Sequence, residues 1–113
     1  MAKLMFRRLF GSPSMNVVQN IVDSAIDSNK VVMFSKSYCP YCHAAKALLK
    51  SKGIPVQVLE LDQRPDGDQI QSYLKDKSGQ RTVPNIFVMK KHIGGSSDLD
   101  LASKDGTLDS LLK

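Results

Sequence analysis

The stretch Val31-Val32-Met33-Phe34-Ser35-Lys36-Ser37-Tyr38-Cys39-Pro40-Tyr41-Cys42-His43-Ala44-Ala45-Lys46-Ala47-Leu48-Leu49 changes character at its first cysteine. Up to Ser35 it is apolar without alternation, as a strand covered on both faces requires. Beyond Pro40 the alanines and leucines are strong helix formers. Gly53 suits the left-handed position just past a helix end, and Pro55 bars continuation. Cys39 therefore stands between a buried strand and the first turn of a helix. Unpaired backbone N–H groups and the positive end of the helix macrodipole favour a thiolate over a thiol there. Lys36, three residues earlier, adds a positive charge. Pro40 fits the first turn because its missing N–H has no partner to lose. Cys42, one turn further in, loses most of the dipole's effect and is expected to be covered. Cys39 is thus the candidate nucleophile and Cys42 the candidate resolving thiol. Tyr41, between the sulfurs, is placed to wall one side of a substrate groove.

Outward from this stretch, Val17, Val18, Ile21, Val22, Ala25 and Ile26 recur at helical spacing, with Ser14 as N-cap and Asn29 near the stop. Val56 to Leu61 is the next strand, reached by a right-handed crossover that makes it parallel to the first. A third helix, capped by Asp66 or Asp68, carries Ile70, Tyr73 and Leu74 and stops at Ser78-Gly79. Asn85 to Met89 is a strand, and Lys91-His92-Ile93 pairs back antiparallel. Met89 and Lys90 are poor at the positive φ angles of a type I′ turn, so a longer or differently built hairpin loop is expected. Helical residues from about Ser97 to Leu112, broken near Gly106, close the chain. The order α-β-α-β-α-β-β-α predicts an α/β domain of thioredoxin-like fold, with a central four-stranded mixed sheet flanked by helices.

The chain has 113 residues, 42% hydrophobic and 24% charged, which suits one globular domain. No apolar run approaches the roughly 18 residues of a membrane span. The formal charge of +5 is uneven: three of the 16 basic residues, Lys3, Arg7 and Arg8, precede the first acid, and without them 13 basic face 11 acidic residues. Neither nucleic acid nor a membrane is expected as a partner. Residues 1–14, acid-free and ending in Gly11-Ser12-Pro13-Ser14, form an N-terminal basic extension or a mitochondrial-type leader ahead of a domain over 15–113. Met15 could serve as an internal start. The expected location is cytoplasmic, with a mitochondrial form through residues 1–14. Two cysteines this close cannot staple distant parts of the chain, so they read as a redox pair. A two-Cys, two-His zinc set of Cys39, Cys42, His43 and His92 is numerically available. It lacks a second closely spaced ligand pair, and no metal site is assigned.

Three motifs in series, Tyr38-Cys39-Pro40-Tyr41-Cys42, Thr82-Val83-Pro84 and Gly94-Gly95-Ser96-Ser97-Asp98-Leu99, resemble those of dithiol glutaredoxins in order and approximate spacing, over about residues 16–113. The resemblance implies that Pro84 is a cis-proline facing the cysteines and that Val83 offers its backbone to the cysteinyl part of glutathione. It places Lys36 and Gln71, with Arg81 assisting, on the glycine carboxylate. Ser97 and Asp98 fall at the γ-glutamyl end, and Thr82 and Gly95 complete the glutathione-binding set. The implied activity is glutathione-dependent reduction of protein disulfides and of glutathione mixed disulfides. Glutathione is then a cosubstrate, and no cofactor is bound tightly. Partners are glutathionylated or disulfide-containing proteins, and glutathione reductase indirectly; a monomer is expected. The alternatives are a glutathione-ligated [2Fe–2S] carrier, made less apt by the rigid Pro40, and a thioredoxin-like reductase, opposed by the Pro-Tyr pair and the absence of Trp.

Overall fold

The computed structural model describes residues 15–113, so the extension over 1–14 and the Ser14 cap lie outside the described residues. The elements run α1 (Met15–Ser28), β1 (Val31–Ser35), α2 (Pro40–Ser51), β2 (Gln57–Glu60), a 3₁₀ turn (Leu61–Gln63), α3 (Gly67–Ser78), β3 (Asn85–Val88), β4 (Lys91–Gly94), α4 (Ser96–Lys104) and α5 (Thr107–Leu112). The sheet order is β2-β1-β3-β4. β1 pairs parallel with β2 and antiparallel with β3, and β3 pairs antiparallel with β4. This is the expected mixed sheet of a thioredoxin-like domain.

β1 is buried along its whole length because helices cover both faces of the sheet. Val32 and Phe34 point into one core with Val18, Val22 and Ile26 of α1 and Ile70 and Leu74 of α3. Val31 and Met33 point into the other with Ala45 and Leu49 of α2, Leu99 of α4 and Leu108 of α5. The period of two along a strand makes this division, and it explains why β1 shows no polar alternation. α2 ends as its sequence implies. Gly53 takes φ +69, Ile54 N–H donates to the Leu49 carbonyl at 2.9 Å and Gly53 N–H to Lys50 at 3.0 Å, the two bonds of a Schellman motif.

Two local expectations are corrected. Asp66 occupies the position before α3 but makes no side-chain cap; its carboxylate pairs with Arg64 at 2.8 Å instead. A guanidinium two residues away offers two charge-assisted hydrogen bonds, more than one backbone N–H supplies. The β3–β4 hairpin is also not long. Met89 at φ +50 and Lys90 at φ +69 form a two-residue loop between paired Val88 and Lys91. The sheet overrides the residues' preference: β3 is buried throughout, and Met89 N–H is held by the Lys30 carbonyl at 2.7 Å. Left-handed backbone costs an L-residue roughly 1 kcal/mol, so Met89→Asn with Lys90→Gly is expected to stabilise the protein by about 1 kcal/mol. Urea unfolding checks it: an unchanged midpoint contradicts a strained turn.

Candidate active site

Cys39 is the N-cap of α2, with Pro40 in its first turn, and it has extended backbone angles (φ −86°, ψ 118°). Its sulfur accepts the Cys42 N–H at 3.3 Å, so one of the free donors of the helix start points at the sulfur itself. On its other side, the sulfur lies 3.9 Å from the Val83 carbonyl oxygen. Both cysteines are free thiols; Cys39 is half-buried and Cys42 fully buried. Burial pushes the Cys42 thiol up from its ordinary value, against the opposing pull of the Lys36 backbone and the Ser35 hydroxyl. The two sulfurs are therefore unequal in access, and burial disfavours the thiolate of Cys42.

The Val83–Pro84 peptide is cis, and Pro84 is buried. The loop that carries it is held from behind by polar side chains. Gln80 Nε2 donates to the carbonyls of Thr82 at 3.0 Å and Pro84 at 2.9 Å. Gln71 is nearly buried on α3, and its Nε2 donates to the Arg81 carbonyl at 2.9 Å. Its amide thus ties α3 to the loop. The buried Asn85 donates to the Gln80 carbonyl at 3.2 Å and accepts from His92 Nε2 at 3.0 Å. His92 is pushed below its ordinary value by desolvation, partly opposed by the Asp98 charge. Arg81 and Thr82 are exposed, Val83 half-buried.

Gly95 lies against this loop, close enough that a Cβ there would stand 3.7 Å from the Pro84 carbonyl oxygen. It caps α4, and its N–H donates to Asp98 Oδ2 at 2.9 Å. Asp98 therefore caps the helix from inside its first turn, while Ser97 sits beside it, exposed. The fold thus links Cys39 to Val83, Pro84 to Gly95 and Gly95 to Asp98, drawing segments far apart in sequence into one surface. Tyr38 and Tyr41 stand out beside the sulfur, 70% and 69% exposed. A cavity of about 460 Å³ lined by Asn29, Lys30, Gly53 and Ile54 opens where β1 begins, at the end of the strand away from the cysteines, and holds none of these residues.

Two side chains at the site, Asp62 and Ser37, are not singled out by the sequence. Asp62 accepts the Ser37 N–H at 2.9 Å and the Ser37 hydroxyl, and His43 Nε2 meets the Ser37 carbonyl at 2.6 Å. The Ser37 hydrogen bonds, aided by the charge of Lys36, hold the Asp62 carboxyl below the usual carboxylate range. The signal that could have found Asp62 is the parallel pairing of β1 with β2, which brings the residues just past both strand ends together.

The Glutaredoxin family model matches residues 31–93. Glutaredoxin-1 of Rhizophagus irregularis is 45% identical over 98 residues, covering 87% of this chain and 97% of that protein. Glutaredoxin-C8 of Oryza sativa subsp. japonica is 50% identical over 95 residues, covering 82% of this chain and 70% of that one. Among solved structures, a buckwheat glutaredoxin–glutathione complex superposes with a TM-score of 0.84 at 42% identity, over 87% of this chain and 89% of the other.

Proposed function

The chain belongs to the glutaredoxin family and is a glutathione-dependent thiol–disulfide oxidoreductase, and from that premise we propose that its substrates are glutathione mixed disulfides and protein disulfides. The observation that carries this reading is the placement of Cys39: helix N-cap, sulfur accepting an N–H, beside the carbonyl that precedes Pro84. The Cys39 thiolate attacks the glutathionyl sulfur of a modified protein, the protein thiolate leaves, and Cys39 carries glutathione as a mixed disulfide. A second glutathione thiolate attacks that disulfide, yielding oxidised glutathione and the free Cys39 thiolate. With a protein disulfide, Cys42 attacks Cys39 in the first mixed disulfide and releases the second protein thiol; two glutathiones then reduce the internal disulfide.

Glutathione brings two carboxylates and an ammonium. In this reading Lys36 and Arg81 meet the glycine carboxylate, and Gln71 shapes the loop beneath it. The Val83 backbone faces the cysteinyl part, and the start of α4 with Ser97 and Asp98 receives the γ-glutamyl end. The cluster carrier and the thioredoxin-like reductase are not favoured, since the chain has a rigid Pro40 between an intact thiol pair and matches the Glutaredoxin model over residues 31–93. The decisive assay is glutathione-dependent reduction of a small mixed disulfide, coupled to NADPH through glutathione reductase. Absence of turnover overturns the reading.

Lys36 is half-buried in the loop before Cys39. A partly exposed charge pair is worth on the order of 1 kcal/mol, so Lys36→Gln is expected to raise the apparent KM for glutathione about five-fold. An unchanged KM removes Lys36 from the binding set.

A further inference from the structure

β1 and β2 run parallel with Ser35 opposite Glu60, the last residue of each strand. The chain leaves both strands at the same end of the sheet, and two residues further on Ser37 and Asp62 meet. Both donors of Ser37 are taken by this one carboxylate: its N–H at 2.9 Å by Oδ1, its hydroxyl by Oδ2. Its carbonyl faces His43 Nε2 at 2.6 Å. A carbonyl can only accept, so Nε2 carries the hydrogen. All the main-chain and side-chain polar groups of Ser37 are thus engaged from two sides, by the turn after β2 and by the first turns of α2.

Ser37 lies in the short link that carries the chemistry. The Lys36 carbonyl before it accepts the Cys39 N–H at 3.1 Å, and Cys39 itself opens α2. Asp62 is exposed and belongs to neither hydrophobic core. Among the described residues, the hydrogen bonds its carboxylate makes to another residue go to Ser37, in that link.

Resting on the glutathione reading above, we propose that Asp62 is a positioning residue for the glutathione reaction. Through Ser37 it fixes the separation between the Lys36 charge and the Cys39 sulfur. A mixed disulfide must present its carboxylate to one and its sulfur to the other at the same time, and attack depends on that alignment. Cys39 keeps its own surroundings without Asp62, because the N–H it accepts comes from α2. Loss of the clamp therefore falls on glutathione-bearing substrates and spares reagents that need only the sulfur.

The test uses the full chain with Asp62→Ala, Asp62→Asn, Ser37→Ala and the Asp62→Ala/Ser37→Ala pair. The readouts are steady-state turnover of a glutathionylated peptide, the rate of Cys39 alkylation by iodoacetamide, and Tm. Asp62→Ala is expected to raise the apparent KM for the peptide about five-fold and to change alkylation less than about two-fold. Asn keeps an acceptor for the N–H and offers a donor to the hydroxyl oxygen, so Asp62→Asn is expected within about two-fold of wild type. The double variant should match Asp62→Ala rather than add to it, as for two residues sharing one interaction. An unchanged KM in Asp62→Ala, equal loss in Asn and Ala, or alkylation falling in step with turnover overturns the assignment. A wild-type chain inert toward the peptide overturns the glutathione reading itself, an outcome separate from an active wild type with an unaffected Asp62→Ala.

Discussion

Cys39→Ser is expected to abolish turnover of glutathionylated peptides and of protein disulfides alike, whereas Cys42→Ser should retain the first and lose the second. Exchange needs an accessible thiolate, and only one of the two sulfurs is built for it. Cys39 is half-buried at the helix start with the Cys42 N–H directed at its sulfur. Cys42 is fully buried, and that burial pushes its thiol up, so at neutral pH it stays protonated and out of reach of an external disulfide. Its reactivity is reserved for a disulfide formed next to it on Cys39. Removing a nucleophile typically costs at least about a thousand-fold in turnover, so Cys39→Ser should fall to background. Cys42→Ser should remain within about three-fold of wild type on the peptide, or exceed it, because no internal thiol diverts the mixed disulfide. Steady-state turnover of both substrates by both variants decides the matter: comparable losses on the peptide, or activity left in Cys39→Ser, refute the assignment.

The cysteine asymmetry is legible in the sequence because it depends on position along one helix, and the residues that start and stop that helix are local. The same holds for β1, whose unbroken apolar run states that both faces are covered, and for Gly53 at the end of α2. What the sequence does not show depends on which strand lies beside which. Met89 and Lys90 read as poor turn residues, yet the buried β3 and the Lys30 carbonyl impose the tight loop. Asp66 reads as a cap, yet Arg64 claims its carboxylate. Asp62 reads as one acid among several, and only the register that sets Ser35 against Glu60 makes it a partner of the catalytic loop. Gln71 illustrates both halves: the resemblance to glutaredoxins implies a site residue there, while its bond to the Arg81 carbonyl, ten residues away, appears only in the fold.

The Gly94-Gly95 pair belongs to that second category, and Gly94→Ala is expected to damage both stability and glutathione use. Gly94 ends β4 with φ +121°, far from the angles near +60° that L-residues visit when φ is positive. A Cβ there would lie 2.3 Å from Asp98 Oδ2 and 2.8 Å from its Cγ, so the carboxylate has to leave. With it goes the bond from the Gly95 N–H that closes the start of α4, at the γ-glutamyl end of the proposed site. Backbone strain of about 1–3 kcal/mol and a lost cap of about 1 kcal/mol together predict a loss of roughly 2–4 kcal/mol. Asp98→Ala removes the cap but not the strain and should cost less. Because the methyl group introduced by Gly94→Ala already displaces the Asp98 carboxylate, the double variant should come close to Gly94→Ala alone rather than to the sum of the two. Urea unfolding of the three variants measures the stabilities, and the apparent KM for glutathione, expected to rise in all three, reports the site. A Gly94→Ala protein within about 0.5 kcal/mol of wild type would show that the β4–α4 corner has room for a side chain, and that the pair is not held to glycine by the packing of Asp98.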